Sequence, residues 1–183
     1  MKKYIIHIIS YPGAGKYTIA KEFIKDPNFK LFDNHIINNV LFSLTDLSKP
    51  LPKFKDTYIN KLYQVAFKYF LKLDIKENIV FTNFLENTKK DLEFFKLIQK
   101  FAKKGNFTYI PVILKPTKQT LLSRVVNKER SIKMKLTNPE IAKSIYERDL
   151  ININLKTKIE IDNSNLTPTK VVSIIKNHIK KYD

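Results

Sequence analysis

Hydrophobic positions along this chain switch repeatedly between two spacings. Short runs of strand length fall at Tyr4 to Ile9, Phe29 to Asp33, Ile79 to Phe84, Phe107 to Leu114 and Lys158 to Asp162. Between them apolar residues recur every three or four positions, the period of a helix with one buried face. Ile19 to Ile24 is such a segment; Ile36, Ile37, Val40, Leu41 and Leu44 make a second. After a loop at Lys49-Pro50-Leu51-Pro52, a longer one carries Ile59, Leu62, Tyr63, Ala66, Phe67, Phe70 and Leu73. Thr88 to Lys104 repeats the period through Leu92, Phe95, Ile98 and Ala102, with Gly105 placed to terminate it. Thr117 to Val126 reads as helix, Asn138-Pro139-Glu140 as the cap and first turn of the next, and Thr167-Pro168 as the start of a terminal one.

Strands alternating with helices predict an α/β fold: a parallel sheet with helices on both faces and ligands at the C-terminal ends of the strands. The continuous apolar start of the third strand predicts burial on both faces. Pro111 cannot donate to a ladder, so its part of the fourth strand is expected at an edge or a bulge.

The junction of the first strand and first helix reads Ser10-Tyr11-Pro12-Gly13-Ala14-Gly15-Lys16-Tyr17-Thr18. Glycines after a strand let consecutive N–H groups turn onto phosphate oxygens, the helix N-terminus adds partial positive charge, and a lysine reaches the β- and γ-phosphates. Ser10 stands where the simplest form of this loop has glycine, and Tyr17 where it has a Mg²⁺-binding hydroxyl. Pro12, Gly13, Gly15, Lys16 and Thr18 match the variant G-x-P-G-x-G-K-G-T, and through it the chain resembles the P-loop small-molecule kinases: adenylate kinase, shikimate kinase and chloramphenicol phosphotransferase. The resemblance covers nearly the whole chain in element order. It implies a three-layer α/β/α fold with a five-stranded parallel sheet in the order 2-3-1-4-5. It also implies ATP and Mg²⁺ as cofactors, a nucleotide cradled by residues 13 to 18 (Gly13, Ala14, Gly15, Lys16, Tyr17, Thr18), and a lid closing over it. Thr18 would cap the first helix and meet the α-phosphate.

Composition narrows the field less than it first suggests. The chain has 183 residues, 43% of them apolar, which fits one domain with a core. No apolar run reaches the roughly 18 to 20 residues that span a bilayer. Lys2-Lys3 and the isoleucines after them run into the glycine loop, so they read as the first strand and not a secretion signal. Cysteine is absent, which fits a reducing compartment, and a cytoplasmic location is expected. The formal charge of 34 − 17 = +17 points to an anionic partner, either nucleic acid or a nucleotide. Only Arg124, Arg130 and Arg148 are arginines among bases that are otherwise lysines spread along the chain.

Phosphoryl transfer needs phosphate clamps, Mg²⁺, an acceptor hydroxyl held in line, and cations for the moving charge. Strand two ends in Asp33-Asn34-His35, where shikimate kinase carries an Asp-x-Asp pair. Asp33 is therefore expected to orient Mg²⁺-bound water or to take the acceptor's proton, and it also fits a helix N-cap. Thr18 and Asp33 could hold the metal only through water. His35 reads as a turn histidine or a substrate contact, His7 as a sheet-face residue, and His178 as a residue of the terminal helix; they are not spaced as a metal site. Strand three ends in Thr82-Asn83 without the Walker B aspartate of many P-loop enzymes, and the glycine triplet of shikimate kinase is missing. The resemblance places a lid at about 124–138, with Arg124 on the nucleotide, Arg130 on the transferring phosphate, and Lys133 or Lys135 assisting. On the surface, Arg124 and Arg130 could instead pair with Glu129 or Glu140.

The expected function is an ATP-dependent phosphotransferase acting on a hydroxyl or phosphate of a small acceptor. A polynucleotide or tRNA kinase, and a nucleotide-binding regulator without phosphotransfer, stand as the alternatives. ATP against GTP, and monomer against dimer, stay open.

Overall fold

In a computed structural model, residues 2–46, 51–52, 54–126, 136 and 138–183 are described. Strands β1 (Lys3–Ile9), β2 (Phe29–Asp33), β3 (Asn78–Asn83), β4 (Phe107–Leu114) and β5 (Ile159–Ile161) form one sheet in the order β2-β3-β1-β4-β5. Every pairing is parallel. Among the described residues, seven α-helices flank it: α1 (Lys16–Phe23), α2 (Asn34–Phe42), α3 (Lys55–Phe70), α4 (Lys89–Lys104), α5 (Lys118–Val125), α6 (Pro139–Tyr146) and α7 (Pro168–Ile179). None of the described helices is long and apolar enough to cross a membrane.

Alternation along β1 divides the core in two. Ile5 and Ile9 join an aromatic cluster with Tyr63 and Phe67 of α3, Phe81, and Phe94, Phe95 and Phe101 of α4. Tyr4, Ile6 and Ile8 face the opposite way, onto Ile19 and Phe23 of α1 and Val171, Val172 and Ile175 of α7. Each such side chain, once fully buried, contributes about 1.5–3 kcal/mol. The rings of Phe67 and Phe101 stack at 4.4 Å and bind α3 to α4. A third, smaller cluster of Leu121, Val125, Ala142 and Tyr146 packs α5 and α6 against Ala14 of the glycine loop.

Caps fall where the sequence placed them. Thr88, Thr117, Asn138 and Thr167 each accept a hydrogen bond from a first-turn N–H of the helix that follows. Strand β3, between β2 and β1, is buried on both faces, as its apolar start predicts.

Three readings change. First, β4 is internal in the sheet, yet β5 pairs only with Val112 to Leu114, so Pro111 lies just outside that ladder, where its missing N–H is tolerated. Second, Gly105 follows α4 with φ −87°, not a left-handed cap; a methyl there would meet the Phe107 ring at 2.7 Å, and Asn106 takes the positive φ of 55° instead. Third, the apolar spacing of α2 does not mark a core face: Ile37 is buried, but Ile36, Val40 and Leu44 are exposed.

Candidate active site

The glycine loop sits at the C-terminal end of β1, the middle strand, with β3 on one side and β4 on the other. Ser10 explains its own departure from glycine. Its side chain is fully buried and donates to the Leu114 carbonyl at 2.7 Å, while its N–H bonds the Asn83 carbonyl at 3.2 Å. The loop is thereby tied to both neighbouring strands at its first residue.

Gly13 and Gly15 adopt φ of 89° and 87°, in the left-handed region. Crowding adds to the requirement at Gly13, where a methyl would lie 3.0 Å from the Leu121 carbonyl oxygen and 3.2 Å from the Tyr146 hydroxyl. Two side chains from distant parts of the chain brace the turn. Tyr146 Oη donates to the Pro12 carbonyl at 2.9 Å, and Asn163 Nδ2 donates to the Ala14 carbonyl at 2.9 Å. The Tyr11 ring packs edge-on against Tyr146, tilts against Phe84, and its hydroxyl donates to the Arg148 carbonyl.

Lys16 opens α1. Its Nζ turns back across the loop and donates to the carbonyls of Ser10 and Tyr11, each at 2.8 Å. These are neutral acceptors that an anion could replace or share, and they hold the amine over the loop. Gly15 stands at the N-cap of α1 with no side-chain cap bond. This corrects the expectation that Thr18 caps the helix: Thr18 lies exposed within the first turn. The left-handed glycine supplies no side-chain acceptor to the first turn, the geometry at which helix N-termini can take up anions. Tyr17 is half-buried beneath Lys21, whose Nζ lies 5.6 Å from its ring centroid.

Arg124, in the last turn of α5, donates through Nη2 to the carbonyls of Asn163 at 3.2 Å and Ser164 at 3.0 Å. Its Nη1 comes within 4.0 Å of where a side chain at Gly15 would begin. Arg124 does not pair with Glu140, which holds Lys143 at 2.8 Å. Arg148 pairs with Glu86 at 3.0 Å. Arg130, Lys133, Lys135 and most of the expected lid lie outside the described residues.

A second group of side chains gathers at the ends of β2 and β3. Asp33 is 7% exposed, and its Oδ1 accepts from the hydroxyl of Thr82, its partner across the β2–β3 ladder. Asp33 occupies the N-cap position of α2 but makes no cap bond, so the carboxylate serves the sheet end and not the helix. By strand spacing it stands about 10 Å across the sheet from the end of β1. His35 follows in the first turn of α2, half-buried.

His7 is the sheet-face residue that its place in the first strand predicts, and it also organises this end. It is fully buried, with Nδ1 2.5 Å from the Tyr109 hydroxyl and Nε2 2.9 Å from Asn83 Oδ1. Because the amide oxygen can only accept, the ring carries its proton on Nε2 and accepts from Tyr109 at Nδ1. Burial lowers its pKa to about 3, against a smaller opposing effect of the Asn83 bond. The Tyr63 hydroxyl is buried close to Asn83 and Asp33, and burial pushes its pKa up. Although near the Asn83 amide, it meets the geometry of a hydrogen bond with no described group. No spacing rule joins Tyr63, Asn83, Tyr109 and His7; the sheet register joins the last three, and the packing of α3 adds Tyr63.

Among the described residues no group of three or more His, Cys, Asp or Glu could cage a metal ion. Asp33, with one oxygen left by Thr82, fits a different arrangement. Mg²⁺ keeps several waters and usually takes one or two carboxylates together with substrate phosphates.

Strand order, the loop after the middle strand, and helices on both faces define the P-loop kinase fold. Solved structures of that fold superpose along nearly the entire chain. A gluconokinase from Sinorhizobium meliloti aligns with a TM-score of 0.64 at 9% identity, covering 98% of this chain and 93% of that one. A sugar kinase from Janibacter aligns at 0.63 and 11% identity, covering 97% and 95%. The shikimate kinase of Aquifex aeolicus aligns at 0.54 and 17% identity, covering 97% of each chain. No protein-family model and no curated protein matches the sequence.

Proposed function

We propose that this chain is an ATP- and Mg²⁺-dependent phosphotransferase acting on a small acceptor, with the nucleotide phosphates over the glycine loop and the acceptor beside Asp33. The observation that carries the reading is Lys16. Its amine spans a loop whose two left-handed glycines and open helix start leave N–H groups for an anion, at the end of the central strand.

In this reading Lys16 exchanges the carbonyls of Ser10 and Tyr11 for phosphate oxygens, and Asn163 and Tyr146 keep the loop from relaxing as the charge arrives. Arg124, fixed by two backbone carbonyls beside Gly15, flanks the nucleotide. Asp33 accepts the acceptor's proton or orients a metal-bound water. Mg²⁺, when bound with the phosphates, would neutralise charge on the β- and γ-oxygens. Arg130 is proposed for the transferring phosphate. The kinases of like fold, among them a gluconokinase and a sugar kinase, support phosphotransfer as the class of reaction.

A second reading, a nucleotide-binding regulator without phosphotransfer, is favoured by Thr82 and Asn83 standing where an acidic residue often ends the third strand. One experiment separates the two. Calorimetric titration of ATP with Mg²⁺ into wild type and Lys16→Ala tests binding, and ³¹P NMR of the mixture with candidate acceptors follows the γ-phosphoryl group. Binding that survives without the amine overturns the site; binding with no transfer to any acceptor leaves the regulator.

A further inference from the structure

The two helical layers that cover the sheet present different faces to solvent. Helices α1 and α7 pack on one side of it, α3 and α4 on the other. On the first layer acids hold cations, with Lys25 meeting Glu22 at 2.6 Å and Lys176 meeting Asp26 at 2.7 Å, and neither α1 nor α7 leaves a large apolar side chain exposed.

Helix α3 is apolar on two sides. Tyr63, Phe67 and Phe70 pack into the core. Tyr58, Val65 and Tyr69 fall on the opposite side by helical spacing and are 51%, 66% and 60% exposed. Val65 and Tyr69 lie about 15 and 21 Å along the helix from its start at Lys55, well clear of the connection that enters it. Lys61, Lys68 and Lys72 follow the same exposed stripe, the Lys61 amine 5.3 Å from the Tyr58 ring centroid. From Thr57 to Leu73 the chain holds no Asp or Glu. The acids that flank this run are already engaged: Asp56 by Lys55 at 3.5 Å and Lys90 at 2.6 Å, and Asp74 by Lys76 at 2.5 Å. Helix α4, joined to α3 by the stacked rings of Phe67 and Phe101, adds exposed Lys96, Lys100 and Lys104, with Glu93 as its exposed acid.

Aliphatic, tyrosine and lysine side chains exposed together on one helix face suit a bilayer surface in all three respects. There apolar groups enter the acyl boundary, tyrosines sit at headgroup level and lysines meet anionic headgroups. A second copy of the chain fits less well, because a two-fold contact pairs a patch with itself and would set these lysines against their own equivalents. A nucleic acid would engage the lysines and rings but offers Val65 a polyanionic backbone. We propose that the outward face of α3, with the lysines of α4 beside it, docks on an anionic membrane surface. None of the described helices is long and apolar enough to cross a membrane, so the contact is peripheral. The inference stands apart from the phosphotransferase reading and does not depend on it.

The full chain is mixed with vesicles of phosphatidylcholine alone, or with about a third of that lipid replaced by phosphatidylglycerol, and bound protein is measured by flotation. A chain of net charge +17 attracts anions generally, so variants locate the contact. Binding to the anionic vesicles is expected to be at least about tenfold tighter than to the neutral ones, and to weaken at least about tenfold in Val65→Asp. Val65→Ser, which adds no charge, shows a smaller loss in the same direction. Lys61→Glu with Lys68→Glu weakens binding more than Lys170→Glu with Lys180→Glu on the α7 layer, where both lysines are equally exposed to solvent. The chain contains no Trp, so Val65→Trp introduces a single reporter whose emission moves to shorter wavelength with anionic vesicles only. Circular dichroism checks that each variant is folded. Equal losses from the two lysine pairs, or a reporter emission that does not move, means diffuse charge attraction and overturns the inference. Protein that stays off the anionic vesicles overturns it too, whether it then binds single-stranded RNA or forms a dimer that Val65→Asp disrupts.

Discussion

Two ends of the same sheet edge are built on opposite principles. Around the glycine loop the main chain is the common partner: Gly13 and Gly15 hold a shape, and Lys16, Tyr146 and Asn163 all bond to main-chain carbonyls. Around Asp33 the contacts run from side chain to side chain, Asp33 to Thr82 and Tyr109 to His7 to Asn83. A backbone site demands residue types at fixed local spacing. A side-chain site demands only that the register bring suitable groups together, and many sequences can do that. In the function proposed above, the first would constrain a polyphosphate, and the second would be free to vary with the acceptor.

The largest effect separating the two ends is expected from Lys16→Ala. Loss of one preorganised charge-stabilising donor lowers turnover by about 10²–10³-fold. The urea midpoint stays near that of wild type, because the two carbonyls that the amine bonds can be reached by water once it is gone. Circular dichroism with an ADP-release assay checks both parts.

Next is Gly13→Ala, which strikes the backbone end directly. A side chain at φ 89° that also presses on the Leu121 carbonyl and the Tyr146 hydroxyl is expected to cost about 3 kcal/mol in urea unfolding. If the cost is a few tenths of a kcal/mol, the loop is softer than its crowding implies.

The side-chain end gives a pH signature. His7 is held neutral with a folded pKa of about 3, below its unfolded value near 6.5. The unfolded chain therefore binds the extra proton first, and stability falls as pH drops below about 6.5, by about 1.4 kcal/mol per pH unit until the folded pKa is reached. Between pH 6.5 and pH 5 this amounts to about 2 kcal/mol. His7→Gln removes that component, so its urea midpoint should depend less on pH than that of wild type over the same range. Parallel curves for the two proteins would take His7 out of the account.

The smallest change, Tyr146→Phe, deletes one hydrogen bond to the Pro12 carbonyl and is expected to cost about 1 kcal/mol. It sharpens the comparison by its place. Nucleotide affinity should weaken with it, whereas Thr82→Val, which unties Asp33, should act on turnover and leave nucleotide affinity unchanged.

The elements themselves are legible in the sequence because each announces itself locally. Thr88, Thr117, Asn138 and Thr167 cap helices through their own side chains, and the strand runs are set off by turn residues. Where local pattern misleads, a distant neighbour has intervened. Gly105 ends α4 as expected, but the reason is the Phe107 ring. Ile36, Val40 and Leu44 have helical spacing, yet α2 turns only Ile37 into the core. The scarcity of arginine marks Arg124, but its fixed partners, the carbonyls of Asn163 and Ser164, lie about 40 positions further on.

By itself, the sequence determined the alternation of strand and helix and the glycine-lysine turn between the first pair, since both follow from side-chain period and from the φ values that glycine alone takes easily. The tertiary structure decided that Ser10 stitches the loop to β4, that Asn163 and Tyr146 brace it, that Asp33 meets Thr82, and that His7 joins Tyr109 to Asn83. Those contacts join residues tens of positions apart, and the physical reason they were hidden is that a parallel sheet fixes neighbours through crossover connections whose register no local pattern encodes.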